Sequence, residues 1–255
     1  MDTSKEKYDF NDFVEIIKIL RSPDGCPWDR VQTHESLKSN LIEESYEFLS
    51  EIDKNNIPGM REELGDVLLQ VLLHSQIAKD DNEFDINDVV DGIAKKMVFR
   101  HPHVFNNEII DNSSEAAYDI FKKQKEKEKH YTKQVDVLKS IPESYPALMK
   151  AQKTVSKMNK IQPEFFKRSV EENLELLKLK VSELNDVNEK NIADILWQIV
   201  VLAKSADIDA EISLSNTNKE IVNKFEKVED SIIESNHKLE EIDTKTFEEY
   251  WEKVN

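Results

Sequence analysis

Two apolar stretches carry carboxylates where a stable helix would take aliphatic residues. The first, NLIEESYEFLSEI from Asn40, holds Glu43, Glu44 and Glu47; the second, MREELGDVLLQVLLHS from Met60, holds Glu63 and Asp66. Residues three and four apart share a helix face, so Glu44 and Glu47, Glu43 and Glu47, and Glu63 and Asp66 are neighbours. A short turn between the segments makes them antiparallel partners, and their acidic faces then meet across one groove. Four or five carboxylates brought together repel, and some must protonate unless a cation joins them. Mg²⁺ suits such a set: it takes oxygen ligands, keeps several waters and binds through carboxylates together with substrate phosphates. Two such ions clamp a phosphate chain and activate a water for in-line attack. The E-E-x-x-E pattern alone is weak. It recurs at Glu248, Glu249 and Glu252 with no paired acids nearby, and in a chain with 52 acidic residues an isolated acidic face is ordinarily solvated surface. The E-x-x-D on an otherwise apolar helix is what points to a metal.

The elements that must position these acids read as helices nearly throughout. Phe10, Phe13, Ile17 and Leu20 fit one helix face, and RSPDGCPWD then breaks the chain. Thr33 is placed to cap a long helix with Leu37, Leu41, Phe48 and Ile52 on its apolar stripe. NNIPGM is a turn, with Pro58 suited to the first turn of a helix that buries Leu64, Val67, Leu68, Val71 and Leu72. Asp85 caps the next, RHPHVF interrupts it, and Ser113 or Ser114 starts a charged helix. Pro142 and Pro146 mark a linker over 131–145, and further helical stretches follow it. Strand-like alternation is scarce. The expectation is an all-α chain of two modules, 1–130 and 146–255.

Composition narrows the function. The net charge of −17 argues against a general nucleic-acid binder, whose affinity comes largely from Lys and Arg on phosphates. The four glycines, Gly25, Gly59, Gly65 and Gly92, are too scattered for a G-x-G-x-x-G or Walker A loop. Cys26 is the only cysteine, so no internal disulfide forms. No apolar run approaches the ~20 residues of a membrane span, and the start, MDTSKEKYDF, has no apolar signal core. These features point to the cytoplasm, with no membrane partner.

Sliding the sequence by 128 positions reveals a repeat. Glu43, Glu44 and Glu47 fall on Glu171, Glu172 and Glu175; Asp66 falls on Asp194 and Gln70 on Gln198. Val67, Leu68 and Val71 fall on Ile195, Leu196 and Ile199, so the offset holds across the interhelix turn. Glu63, however, falls on Asn191.

GCPWDRVQTHESL from Gly25, EESYE from Glu43, EELGD from Glu62 and RHPHVF from Arg100 occur in this order. Together with YPALMKAQK at the opening of the second module, they closely resemble the MazG family of nucleoside triphosphate pyrophosphohydrolases. The resemblance implies an all-α NTP pyrophosphatase fold whose helices complete bundles on homodimerisation. It implies Mg²⁺-dependent cleavage of ordinary or altered (d)NTPs between the α and β phosphates, giving a monophosphate and diphosphate; Mn²⁺ is a possible substitute. It assigns Glu44, Glu47, Glu63 and Asp66 as metal ligands and Glu43 as a supporting or water-orienting acid. It maps phosphate-binding positions to Lys96, Arg100 and Lys125, and an aromatic beside the nucleotide to Phe121. Lys96 and Lys125 also read as plain surface lysines. Trp28 has two readings, a wall of the nucleoside pocket or a core anchor of the N-terminal loop. His101 and His103 read as a structural turn, and Cys26 as a packed small residue.

The second copy keeps Glu171, Glu172, Glu175 and Asp194, with Arg168, Lys224 and Trp251 as further candidates. Asn191 offers only a neutral carbonyl oxygen. Glu220 stands at the first helical basic position and Asn255 where a lysine is expected. Like-sign charge near a triphosphate costs affinity, so the first module should carry most of the activity, the second being a weak site or a scaffold. Two other readings stay open: a helical interaction protein with decayed sites, and a di-iron carboxylate bundle. The latter needs paired Glu-x-x-His motifs, and Glu234–His237 stands unpaired.

Overall fold

The computed structural model describes residues 4–106, 111, 113–128 and 133–254. Those residues are helical and form no strands, and the chain divides into two compact units, Met1–Lys129 and His130–Asn255.

In the first unit, α1 (Phe10–Arg21) is opened by Asp9, whose carboxylate accepts from the Asp12 amide while Asp12 returns the bond. This reciprocal box satisfies amides that a helix start leaves unpaired. After α2 (Pro27–Arg30) the chain makes α3 (Lys38–Asp53) and α4 (Ile57–Asp80). Thr33 and Ser36 do exchange backbone-to-hydroxyl bonds, but the regular helix begins only at Lys38, later than Thr33 leads one to expect. Asn55, in the left-handed region at φ 53°, turns the chain between α3 and α4. The two helices run antiparallel: Glu51 lies beside Gly59 near the turn, and Glu44 beside Gln70 farther along. Asp85 opens α5 (Ile86–Arg100) with the capping box its sequence announces, α6 (Pro102–Phe105) is one turn, and Ser113 caps α7 (Ser114–Lys127).

The core sits on the C-terminal half of α4. Leu72, Leu73 and Ile77 pack with Ile17, Leu37 and Ile86, flanked by Phe13, Val14 and Leu20. Arg21 braces the corner beneath: its Nε pairs with Asp80 at 3.0 Å and its guanidinium donates to the Asp29 and Gln32 carbonyls. Gly25 is needed here, because a Cβ would lie 2.2 Å from the Ile19 carbonyl oxygen, a clash with backbone. The apolar stripe of α3 is buried only in part. Leu37 is enclosed, but Leu41 and Ile52 are exposed, as is Leu64 on α4.

In the second unit, α8 (Gln134–Lys139) lies within the stretch read as a linker. It packs on α9 (Ala147–Ile161), and Lys157 Nζ donates to the Val137 carbonyl at 2.6 Å. Ile141, next along, is buried. The chain ahead of Pro142 is therefore docked on α9. There follow α10 (Pro163–Phe166), α11 (Val170–Ser182), α12 (Glu189–Ser205), α13 (Ala210–Glu234) and α14 (Thr244–Lys253). The strongest packing is again between the helices that carry the acids, α11 and α12. No helix among the described residues is long and apolar enough to cross a membrane.

Candidate active site

The α3–α4 seam brings Glu44, Glu63 and Asp66 together. One carboxylate oxygen of each lies within 4.8 Å of the others, and all three residues are half-buried. The i, i+3 spacing puts Glu63 and Asp66 on one face of α4, and the antiparallel pairing carries Glu44 across to them. Glu47 is exposed and lies outside that trio, although its charge acts on both Glu44 and Glu63. Glu43 is exposed as well.

Electrostatics record the crowding. The Glu44 carboxyl is pushed above the usual carboxylate range by burial first, then by the charges of Asp66 and Glu47; a hydrogen bond from Gln70 opposes the shift. Glu63 is pushed up likewise, by burial and then by Glu47 and Asp66. Such a group loses proton affinity once a cation replaces the missing counter-charge. The donor set is all oxygen with no thiol or imidazole, which fits a hard divalent ion rather than a soft one.

The cationic and aromatic candidates gather elsewhere in the unit, on α5 and α7. Arg100 donates from Nε and a terminal nitrogen to both oxygens of Glu128, at 2.9 and 2.6 Å, and its guanidinium lies 5.5 Å from the centre of the Phe121 ring. Glu128, acting back, is held below its ordinary range chiefly by Arg100, with smaller contributions from Lys96 and Lys125. The candidates Lys96, Arg100, Phe121 and Lys125 thus form one neighbourhood, α7 packing on α5, with Glu128 as its counter-ion. Arg100 is committed to that carboxylate rather than free. His101 caps the turn as expected, its Nδ1 2.7 Å from the Met97 carbonyl and its ring against Phe121. Trp28 is 57% exposed, so the core-anchor reading fails. Cys26 is half-buried at the start of α2.

The second copy is built differently. Ser169 caps α11, and its own backbone amide donates to Oε2 of Glu172, the counterpart of Glu44, at 2.8 Å. Glu171 is held below its usual range by its own backbone amide and by Ser169. Glu175 pairs with Lys178 in solvent. Asn191 donates its side-chain amide to the Asp186 carbonyl at 2.8 Å, and Asp194 is exposed. No group of acids in this unit converges as the first three do, among the described residues. Arg168 is exposed; Lys224 lies 4.9 Å from the Trp251 ring centre, repeating the cation-on-ring pairing of Arg100 and Phe121. Asn255 falls outside the described residues.

Two features escaped the sequence reading. The S-x-x-E signal of a capping box is present at Ser169–Glu172 and foretells the capture of Glu172. The bond between Arg100 and Glu128 spans 28 residues and had no local signal.

An acid-lined helix pair, present twice in sequence, brings three carboxylates together once among the described residues of an all-helical chain. The family model described as the MazG nucleotide pyrophosphohydrolase domain matches residues 32–105 and 162–233. A Thermotoga maritima protein named nucleoside triphosphate pyrophosphohydrolase/pyrophosphatase MazG is 38% identical over 96% of this chain and 95% of its own length. The Escherichia coli K12 nucleoside triphosphate pyrophosphohydrolase is 32% identical over 94% of this chain and 95% of its own. A Bacillus subtilis protein, YabN, is 38% identical over 96% of this chain, which spans 51% of that protein. The chain belongs to the MazG family.

Proposed function

We propose that this chain is a nucleoside triphosphate pyrophosphohydrolase that uses Mg²⁺, with Mn²⁺ able to substitute, and turns over chiefly in its first module, residues 1–130. The observation that carries this reading is the convergence of Glu44, Glu63 and Asp66 to within 4.8 Å. These three would hold the metal, with Glu47 as a fourth ligand. When bound, Mg²⁺ supplies positive charge against the triphosphate oxygens and lowers the cost of charge developing at phosphorus. Glu43 orients the attacking water and accepts its proton. Lys96, Arg100 and Lys125 bind phosphate, which requires the nucleotide to compete with Glu128 for Arg100. Phe121 stacks on the base, with Trp28 at the pocket wall. Water attacks without a covalent enzyme intermediate, so catalysis is positioning and charge neutralisation.

The exposed apolar residues Leu41, Ile52 and Leu64 beside the acids support a homodimer whose partner helices cover them. The second module, 146–255, serves as scaffold, and the protein works in the cytoplasm on free nucleotides.

The test is to incubate each NTP with protein and Mg²⁺ and to identify the products. A monophosphate and diphosphate are expected. Orthophosphate with a nucleoside diphosphate, or no turnover of any NTP, would overturn the reading.

A further inference from the structure

Gln70 sits in the middle of α4 and is 3% exposed. Its Nε2 points at Glu44, 3.5 Å from Oε1, while its own Oε1 is buried without a hydrogen-bond partner among the described residues. Burying an amide with one polar atom unpaired costs stability that a leucine would not cost.

Other buried amides show what a structural one looks like. Gln152 is satisfied at both ends: its Nε2 donates to the Ile208 carbonyl at 2.6 Å and its oxygen accepts from the Ala210 amide at 3.2 Å. Gln198, the repeat counterpart of Gln70, donates to the backbone carbonyl of Asn173 at 3.3 Å. In that copy the acid matching Glu44 is folded into the helix cap, out of reach. The same buried glutamine therefore serves backbone where the acid is absent and turns to the acid where it is present.

We infer that Gln70 is a positioning residue, fixing the Glu44 carboxylate in the seam so that it faces Glu63 and Asp66 for a divalent cation. This rests on the proposed metal-dependent reading of the same site. Glu44 is an unbranched side chain with several rotatable bonds, and the Gln70 amide restrains it by engaging Oε1. Partners that orient metal-ligating carboxylates in this way tune affinity rather than supply ligands.

The test is Mn²⁺ binding to the full chain without nucleotide, followed by electron paramagnetic resonance, for wild type, Gln70→Met, Gln70→Leu and Gln198→Met. Circular dichroism melting runs in parallel. Both Gln70 variants should bind Mn²⁺ about tenfold more weakly, whereas Gln198→Met should lower the melting temperature without changing the Mn²⁺ affinity. The methionine variant conserves volume, so a folding failure in the leucine variant leaves the question answerable. Wild-type affinity in a folded Gln70 variant, or equal loss in Gln198→Met, overturns the inference alone. Absence of Mn²⁺ binding by the wild type overturns the metal-dependent reading along with it.

Discussion

The two acid-bearing helix pairs share the E-E-x-x-E glutamates, the aspartate and the buried glutamine at the same sequence spacing, yet among the described residues only one gathers its acids. The difference lies at the helix starts. In the first copy α3 begins at Lys38, so Glu44 is well inside the helix and its side chain is free to reach α4. In the second, the helix starts only after Ser169, and Glu172 becomes the N3 residue of a capping box. A carboxylate that satisfies a helix N-terminus is no longer available to a metal. Asn191 completes the change by donating to its own loop. Matching residue types therefore do not make matching sites; the cap decides where each carboxylate can point.

The sharpest way to break this contrast is by charge removal. Glu44→Ala or Glu63→Ala should lower turnover by roughly a hundredfold or more, while Glu172→Ala should leave it close to wild type; steady-state assays with saturating Mg²⁺ decide. Equal losses from Glu44→Ala and Glu172→Ala would mean that both copies work. Next in size are the cores. Leu72 and Val200 occupy the same repeat position, and both are buried. Leu72→Ala should destabilise its unit by about 2–5 kcal/mol, and Val200→Ala by less because fewer buried atoms are lost, as read by denaturant unfolding.

A third expectation concerns pH. Glu44 and Glu63 have raised proton affinity in the folded protein. A group that binds protons more tightly when folded makes the fold less stable as pH rises from its unfolded pKa through its folded one. The metal-free protein should therefore lose stability across that window, and added Mg²⁺ should restore it. The rise in melting temperature with Mg²⁺ should be larger at pH 7 than near pH 4.5; a rise independent of pH would place the ion elsewhere. The smallest effect is at the cap: Ser169→Ala should cost about 1 kcal/mol, without lowering turnover.

Much of this was legible in the residues because it depends on local chemistry. Helical period placed α3, α4 and α5, Asp85 marked the cap of α5 and Ser113 that of α7, and i, i+3 spacing put Glu63 beside Asp66. What was not legible depends on distant partners. Periodicity gives Leu41, Ile52 and Leu64 an apolar face but does not say how far it is covered, and all three are exposed. The resemblance assigns Arg100 to phosphate with no sign of Glu128, which pairs with it from the end of α7. The prolines around 142–146 suggested a loose linker, whereas α8 is held by the side chain of Lys157, which a scan for breakers does not weigh.

The connection from α3 to α4 spans only Lys54, Asn55 and Asn56. A tight connection of this length fixes the register in which α4 runs back along α3, and so sets Glu63 and Asp66 opposite Glu44. Chain length at this corner is thus as much a part of the site as the carboxylates themselves.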